Sequence, residues 1–196
     1  MKRLGTIVRL QVQQASLKPG PLHERYYDPS PLYTVPAITL NDGGVTGIEE
    51  SGELISDVHH HDHPSGKNNG KNDISILFTD HYRTMRARFG DHLTDGIAGE
   101  SILVETEGPI RQEDVEGGIT IRTAEGRDAL LEEVRVAEPC VEFTRFTIHY
   151  PPDSRSDRQV TEALDFLRAG MRGFYARYTG EPIRIELGDA VFLGAG

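Results

Sequence analysis

Short runs of alternating apolar and polar residues, each cut off by a turn former, constrain this chain more than any other feature. Ile183, Ile185 and Leu187 alternate with Arg184 and Glu186. Glu133-Val134-Arg135-Val136 repeats the pattern, and so does the opening "MKRLGTIVRLQVQ". A period of two sends successive side chains to opposite faces of a strand, so each run has one face for a core and one for solvent. "DISILF" at 73–78 reads as a buried strand, and "SILVE" at 101–105 and "GITIRT" at 118–123 as further short ones. Strands this short and numerous must bury their faces against one another. The expected class is mainly β with α elements: a barrel or sandwich with helices packed outside, forming one domain over residues 1–196.

Two stretches carry a helical period instead. In "TDHYRTMRARFG", Tyr82, Met85 and Phe89 fall on one face, Thr79 or Asp80 is placed to cap, and Gly90 to stop. In "SDRQVTEALDFLRAG", 156–170, Val160, Ala163, Leu164 and Leu167 form a stripe between a Ser156 cap and Gly170. Residues 18–36 hold Pro19, Pro21, Pro29, Pro31 and Pro36, which exclude a central strand and predict an irregular arm. "NDGG" marks a turn within 35–48, and "SDVHHHDHPSGKNNGKND" a long loop. "VEFTRFTIHY", 141–150, reads as extended because it is rich in β-branched and aromatic residues. Gly188-Asp189 suits a type II′ hairpin.

Charge narrows the function classes. Lys and Arg number 21 against 31 Asp and Glu, a net −10. Such a chain repels phosphate backbones and anionic membrane faces, so neither nucleic acid nor membrane is an expected partner. One cysteine permits no internal disulfide and fits a reducing compartment. The alternating N-terminus does not read as a signal peptide, and a cytoplasmic protein is expected.

Four groups of residues offer chemistry. Cys140 follows Pro139, which ends the preceding strand. It is either a small core filler or a thiolate suited to soft metals and persulfide chemistry. Arg135 and Arg145 are near it in sequence. His59, His60, His61 and His63 with Asp62 offer imidazoles to zinc, nickel or copper, but their spacing matches no closed structural site; a solvated loop is the plainer reading. "GKNNGKN" lacks the Gly-Lys-Ser/Thr ending of a phosphate loop, which leaves Lys71 and Asn72, beside the strand at 73, as candidate anion contacts. Arg172 in "GMRGFY" is either a phosphate partner or a surface residue, and Glu100 either an acid–base group or a backbone contact.

Four segments, in order, resemble the MOSC family, the domain named after the C-terminal part of molybdenum-cofactor sulfurase. The resemblance runs over 45–196, beyond an N-terminal strand and proline-rich arm at 1–44. "FGDHLTDGIAGESILVE" is its strongest part, with Ser101 where asparagine is usual. "DVH" at 57–59 is similar to the family's Gly-Asp-Arg-His stretch, with Ser56 for the glycine. "EPC" matches the segment of the family's marked cysteine, and "GMRGFYARYTGEPIRIELGDAVFL" its C-terminal segment.

The resemblance implies a β-barrel around a sulfur or molybdenum site. Cys140 would ligate molybdenum in a molybdopterin cofactor or carry sulfur for it. His59 and Asp57 would serve beside it, and Arg145, Arg172, Lys71, Asn72, Glu100 and Ser101 would contact the cofactor. Some members of the family reduce N-hydroxylated compounds, which makes an electron-donor protein one expected partner. Sulfur carriage would call for a cysteine desulfurase instead, with pyridoxal phosphate on that partner rather than on this chain. The alternative is a non-enzymatic module whose His60, His61 and His63 bind a divalent metal. A thiol with work to do should be partly accessible, in a concave site with Asp57 or His59 and a basic patch drawn from Arg135, Arg145, Lys71 and Arg172.

Overall fold

The twelve-residue opening strand organises the architecture, because it is long enough to meet three partners in turn. A computed structural model of the chain describes residues 1–65, 74–151 and 157–194. The opening strand β1 (Lys2–Gln13) is followed by β2 (Leu32–Thr34), β3 (Ala37–Asn41), β4 (Gly44–Ile48), β5 (Leu54–Ser56), β6 (Ile74–Phe78), α1 (Thr79–Phe89), β7 (Ile102–Glu105), α2 (Gln112–Val115), β8 (Ile119–Arg122) and β9 (Asp128–Val136). Then come α3 (Val141–Thr147), α4 (Arg158–Leu167), β10 (Phe174–Arg177), β11 (Ile183–Glu186) and β12 (Ala190–Leu193).

Seven strands close a barrel in the order β1, β12, β8, β9, β10, β6, β7 and back to β1. The first part of β1 pairs with β12, its middle with β7 and its end with β2. Two register shifts, at Arg3/Gly5 and Ile7/Arg9, bend it around the ring. Gly5 permits the closest approach, since a β-carbon there would overlap the Glu105 carbonyl. β6 and β7 are parallel, so they need a crossover, and α1 supplies it. A second sheet, in the order β11, β3, β4, β5, packs Ile38, Leu40, Val45, Ile183 and Ile185 into the same core as the barrel strands. The expected barrel with outer helices is thus present.

Burial of all of β6 explains why its sequence is apolar except for Ser75. Ile74, Ile76 and Phe78 point into the barrel, whereas Leu77 points outward into a second cluster with Tyr82 and Met85 of α1. Both faces of this parallel pair are covered. The outer layer also takes Phe143 from α3, Leu167 from the end of α4, and Leu17 and Tyr27 from the proline-rich arm. The arm is irregular except for β2, as its prolines require.

Several local readings change. Residues 141–147 form α3, not a strand. Cys140 has an extended backbone (φ −88°, ψ 157°), its Sγ accepts the Phe143 amide at 3.4 Å, and the helix starts there. Phe143, Thr144 and Thr147 are buried at helical spacing. The hydroxyls of Thr144 and Thr147 donate to the carbonyls of Cys140 and Thr144, so these β-branched residues are satisfied within the helix. Cys140 is therefore a helix cap, separated from the strand before it by 137–139. Gly188 (φ 90°) sits at the third position of a turn closed by the Asp189 amide on the Glu186 carbonyl, as a type II turn requires. That turn makes no hairpin: β11 lies in the second sheet and β12 in the barrel. Asp157 caps α4 by accepting the Gln159 and Val160 amides, and the proposed cap Ser156 lies outside the described residues. Phe78, not Thr79 or Asp80, occupies the N-cap of α1 and makes no side-chain cap bond.

Candidate functional site

The start of α3, the start of β10, the end of β1, the turn after β5 and the proline-rich arm meet around one cavity of about 330 Å³. Cys140 lines it and is partly exposed. Pro139 and the cap geometry place the thiol at a helix start rather than inside a strand, and this is why it reaches the cavity.

His59 lines the same cavity, and Asp57 holds it from behind. The buried Asp57 carboxylate accepts the His59 backbone amide at 2.8 Å and contacts its Nδ1 at 2.9 Å. Its other oxygen accepts the Gln13 amide at 2.7 Å, and the Val58 amide donates to the Gln13 carbonyl. The turn is thereby pinned to the end of β1. A carboxylate partner requires the ring proton on Nδ1, which leaves Nε2 as the nitrogen that can accept or carry a second proton.

Arg172 completes the group. It follows the tight turn at Gly170 (φ 91°), where a β-carbon would press 2.7 Å from the Phe174 ring. Its guanidinium lies over the Phe143 ring, 5.0 Å from the centroid. Among the described residues it has no hydrogen-bond or ion-pair partner. Tyr175, Tyr27, Cys140 and Glu100 are its electrostatic neighbours. Two more cations, Lys18 and Arg25, come from the arm, and Arg25 Nε is buried without a partner. Glu138 is the acidic member of the lining. Donors without acceptors around one cavity form a receptor for an anion.

Glu100 and Ser101 do not line the cavity. The chain turns inward at the start of β7 and buries both. Tyr82 donates to Glu100 Oε2 at 2.8 Å and accepts the Ala98 amide, while Glu100 Oε1 has no partner. Burial pushes the Glu100 carboxyl up to about 7, against the opposing pull of the Tyr82 hydrogen bond and the Arg172 charge. Ser101 meets Ser75, oxygen to oxygen at 3.2 Å. Tyr27, in the cavity wall, is held well above the usual phenol range by burial and donates to the Ile97 carbonyl.

The other candidates scatter. Arg145 lines a neighbouring cavity of about 180 Å³, which shares Arg25 and Tyr27 with the first. Arg135 stacks on the outer side of Tyr175, 5.6 Å from its ring centroid, and does not reach the cavity. Of the described members of the expected basic patch, Arg172 alone lines the cavity with Cys140. Lys71 and Asn72 lie outside the described residues. The His60, His61 and His63 triad is not assembled: His60 and His61 group with Asp62, whereas His63 Nδ1 accepts the Ser65 amide. Gln13, Lys18, Arg25, Tyr27 and Tyr175 are lining residues that sequence reasoning missed. Pairs of basic and aromatic residues within the proline-rich arm were the available signal; nothing local showed that the arm folds back over the barrel.

No family model matches the chain, and no curated protein sequence matches it. Solved structures do share its fold. The YUAD protein from Bacillus subtilis matches 97% of this chain and 93% of its own, with a TM-score of 0.53 at 15% identity. YiiM from Escherichia coli matches 84% of this chain and 65% of its own, with a TM-score of 0.52 at 13% identity. YiiM from Geobacillus stearothermophilus matches 99% and 75%, with a TM-score of 0.50 at 16% identity. No helix among the described residues is long and apolar enough to cross a membrane.

Proposed function

With the barrel fold of YiiM, a MOSC-domain protein, as its premise, we propose that this protein binds a molybdopterin-type molybdenum cofactor, or carries sulfur for one, in the cavity around Cys140. The observation that carries the reading is that the Cys140 thiol shares one cavity with the Arg172 guanidinium, which has no hydrogen-bond or ion-pair partner among the described residues. The donor set fits the group: a soft sulfur ligand for molybdenum or sulfane sulfur, and guanidinium for a phosphate. Arg172, Arg25 and Lys18 hold the anionic end. His59, fixed by Asp57, holds or moves a proton at Nε2. Tyr27 and Tyr175 shape the wall and exclude water. When bound, the cofactor supplies two-electron chemistry at molybdenum.

In the reductase form of this reading the substrate is an N-hydroxylated compound, and a separate protein donates the electrons. In the sulfur-carrier form, the Cys140 thiolate attacks the outer sulfur of a desulfurase persulfide. A bond forms between Cys140 Sγ and that sulfur, the old S–S bond breaks, and the desulfurase cysteine leaves as thiolate. Pyridoxal phosphate then belongs to the desulfurase.

Cys140→Ser tests both forms. The protein is expressed with cofactor synthesis intact and assayed for molybdenum, for the fluorescence of oxidised pterin and for cyanide-releasable sulfur. The parent is expected to hold pterin with molybdenum, or releasable sulfur, and the serine variant to lose at least nine-tenths of the metal or sulfur while staying folded. A serine variant equal to the parent removes Cys140 from the role. A parent devoid of pterin and of sulfur overturns the reading.

A further inference from the structure

The turn that carries His59 also builds a second constellation. One ring nitrogen from each of His60 and His61 and one carboxylate oxygen of Asp62 lie within 4.8 Å of one another. His61 Nε2 and Asp62 Oδ1 are already 3.0 Å apart. A tetrahedral zinc with ligands at about 2.0–2.2 Å holds its donors roughly 3.4 Å apart, so the three need only small side-chain rotations to converge.

A second feature points to a ligand. His60 is only 6% exposed, and its Nε2 is buried with no partner. Buried ring nitrogens are ordinarily paired, and an unpaired one costs stability. The other nitrogen, Nδ1, accepts the Asp62 amide in a long contact of 3.2 Å. A metal at Nε2 moves the ring proton to Nδ1 and releases that contact, exchanging one weak hydrogen bond for a coordinate bond.

The surroundings are shaped for the two rings. A β-carbon on Gly43 would lie 2.5 Å from His61 Cε1 and Nδ1 and 3.0 Å from His60 Cε1. Gly43 is thus what leaves room for both imidazoles above the turn between β3 and β4. The His61 amide donates to the Gly43 carbonyl at 2.9 Å, and the His63 amide to the His60 carbonyl at 3.0 Å, which fixes the ligand backbone. His61 and Asp62 are exposed, giving a route of entry and an open fourth position for water.

We infer that His60, His61 and Asp62 form a binding site for a divalent transition-metal ion of the zinc class, seated against Gly43, which pins the turn that presents His59 to the Cys140 cavity. Imidazole and carboxylate donors suit zinc, nickel and copper better than magnesium or calcium. The metal here is structural, and the site stands without the cofactor reading; only the effect on His59 touches that reading.

Zinc chloride alone, titrated calorimetrically into tag-free full-length protein, is the test, with cobalt absorption as a check on geometry. The expected result is one saturable equivalent per chain and slower amide hydrogen exchange over 57–63. His61→Ala and Asp62→Asn alter exposed groups and leave the fold intact, so each should weaken affinity at least tenfold. Gly43→Ala should weaken it severalfold without removing a ligand, and His63→Ala should change it less than twofold. Absence of saturable binding overturns the site. So does binding that His63→Ala weakens as much as Asp62→Asn, or binding that leaves exchange over 57–63 unchanged. The cysteine-dependent assays of Cys140→Ser do not depend on any of these outcomes.

Discussion

The inside of the barrel and the layer outside it are packed from different materials. Inside, the cluster is made of Ile, Leu, Val, Ala and Phe with one tyrosine, Tyr178, whose hydroxyl donates to the Glu181 carbonyl. Outside, under α1 and α3, Tyr27, Tyr82, Met85, Phe143 and the partly buried Cys140 surround the buried Glu100 and the Ser75–Ser101 pair. The inner cluster gains only from burial, and its members are exchangeable within limits of volume. The outer layer buries groups that need partners and, among the described residues, leaves Glu100 Oε1 without one. Stability is concentrated in the first region, and chemistry in the second.

The contrast is open to attack at three points, taken in order of size. Ile76 is fully buried inside the barrel, so Ile76→Ala should cost about 2–5 kcal/mol in a denaturant titration. Its bound metal, cofactor or sulfur should match the parent's below the unfolding transition; loss of them in the folded variant would mean that core and site are one unit. Glu100→Gln should go the other way. The Glu100 carboxyl is raised in the folded state to about 7 from an ordinary 4.5. Its stabilising contribution is therefore whole below about pH 4.5 and lost as pH climbs through 7. Parent and variant should have similar stability at pH 4 and diverge by up to about 3 kcal/mol at pH 8, the variant being the more stable. Equal divergence at both values would show that Glu100 is not a buried titrating group.

The smallest effect is expected from Tyr82→Phe. The Ala98 amide loses its acceptor and Glu100 its donor, at a cost of about 1–2 kcal/mol. Because that hydrogen bond holds the Glu100 carboxyl down, its loss should also move the pH-dependent drop in stability to higher pH. A variant that loses stability with no such movement would uncouple the two groups.

Legibility in the sequence followed the same division. β3, β4, β6, β7, β8 and α1 were readable because alternation, turn residues and the Tyr82, Met85, Phe89 spacing are local signals. α3 was hidden, since Phe143, Thr144, Phe146 and Thr147 have strand-like composition and their helical period becomes visible only once Cys140 is known to cap it. The meeting of Cys140 with Arg172 follows from α3 and β10 lying at one end of the barrel, and neither side chain carries a local mark of the other. Lys18 and Arg25 were least legible of all: prolines say that the arm is irregular, but its path is decided by Leu17 and Tyr27 docking on α3 and the barrel.

Ring closure sets an order in time. Lys2 pairs with Leu193 and Thr6 with Ala190, so of the barrel strands the first to be synthesised closes the ring only with the last. Until β12 emerges, β1 and β8 are open edges able to pair with the wrong strand or another chain. The β6–α1–β7 unit, by contrast, makes its contacts with little delay and can form early. A nascent chain stalled before residue 190 would hold the outer layer's α1 scaffold without a sealed core, a state that chaperones rather than packing must protect.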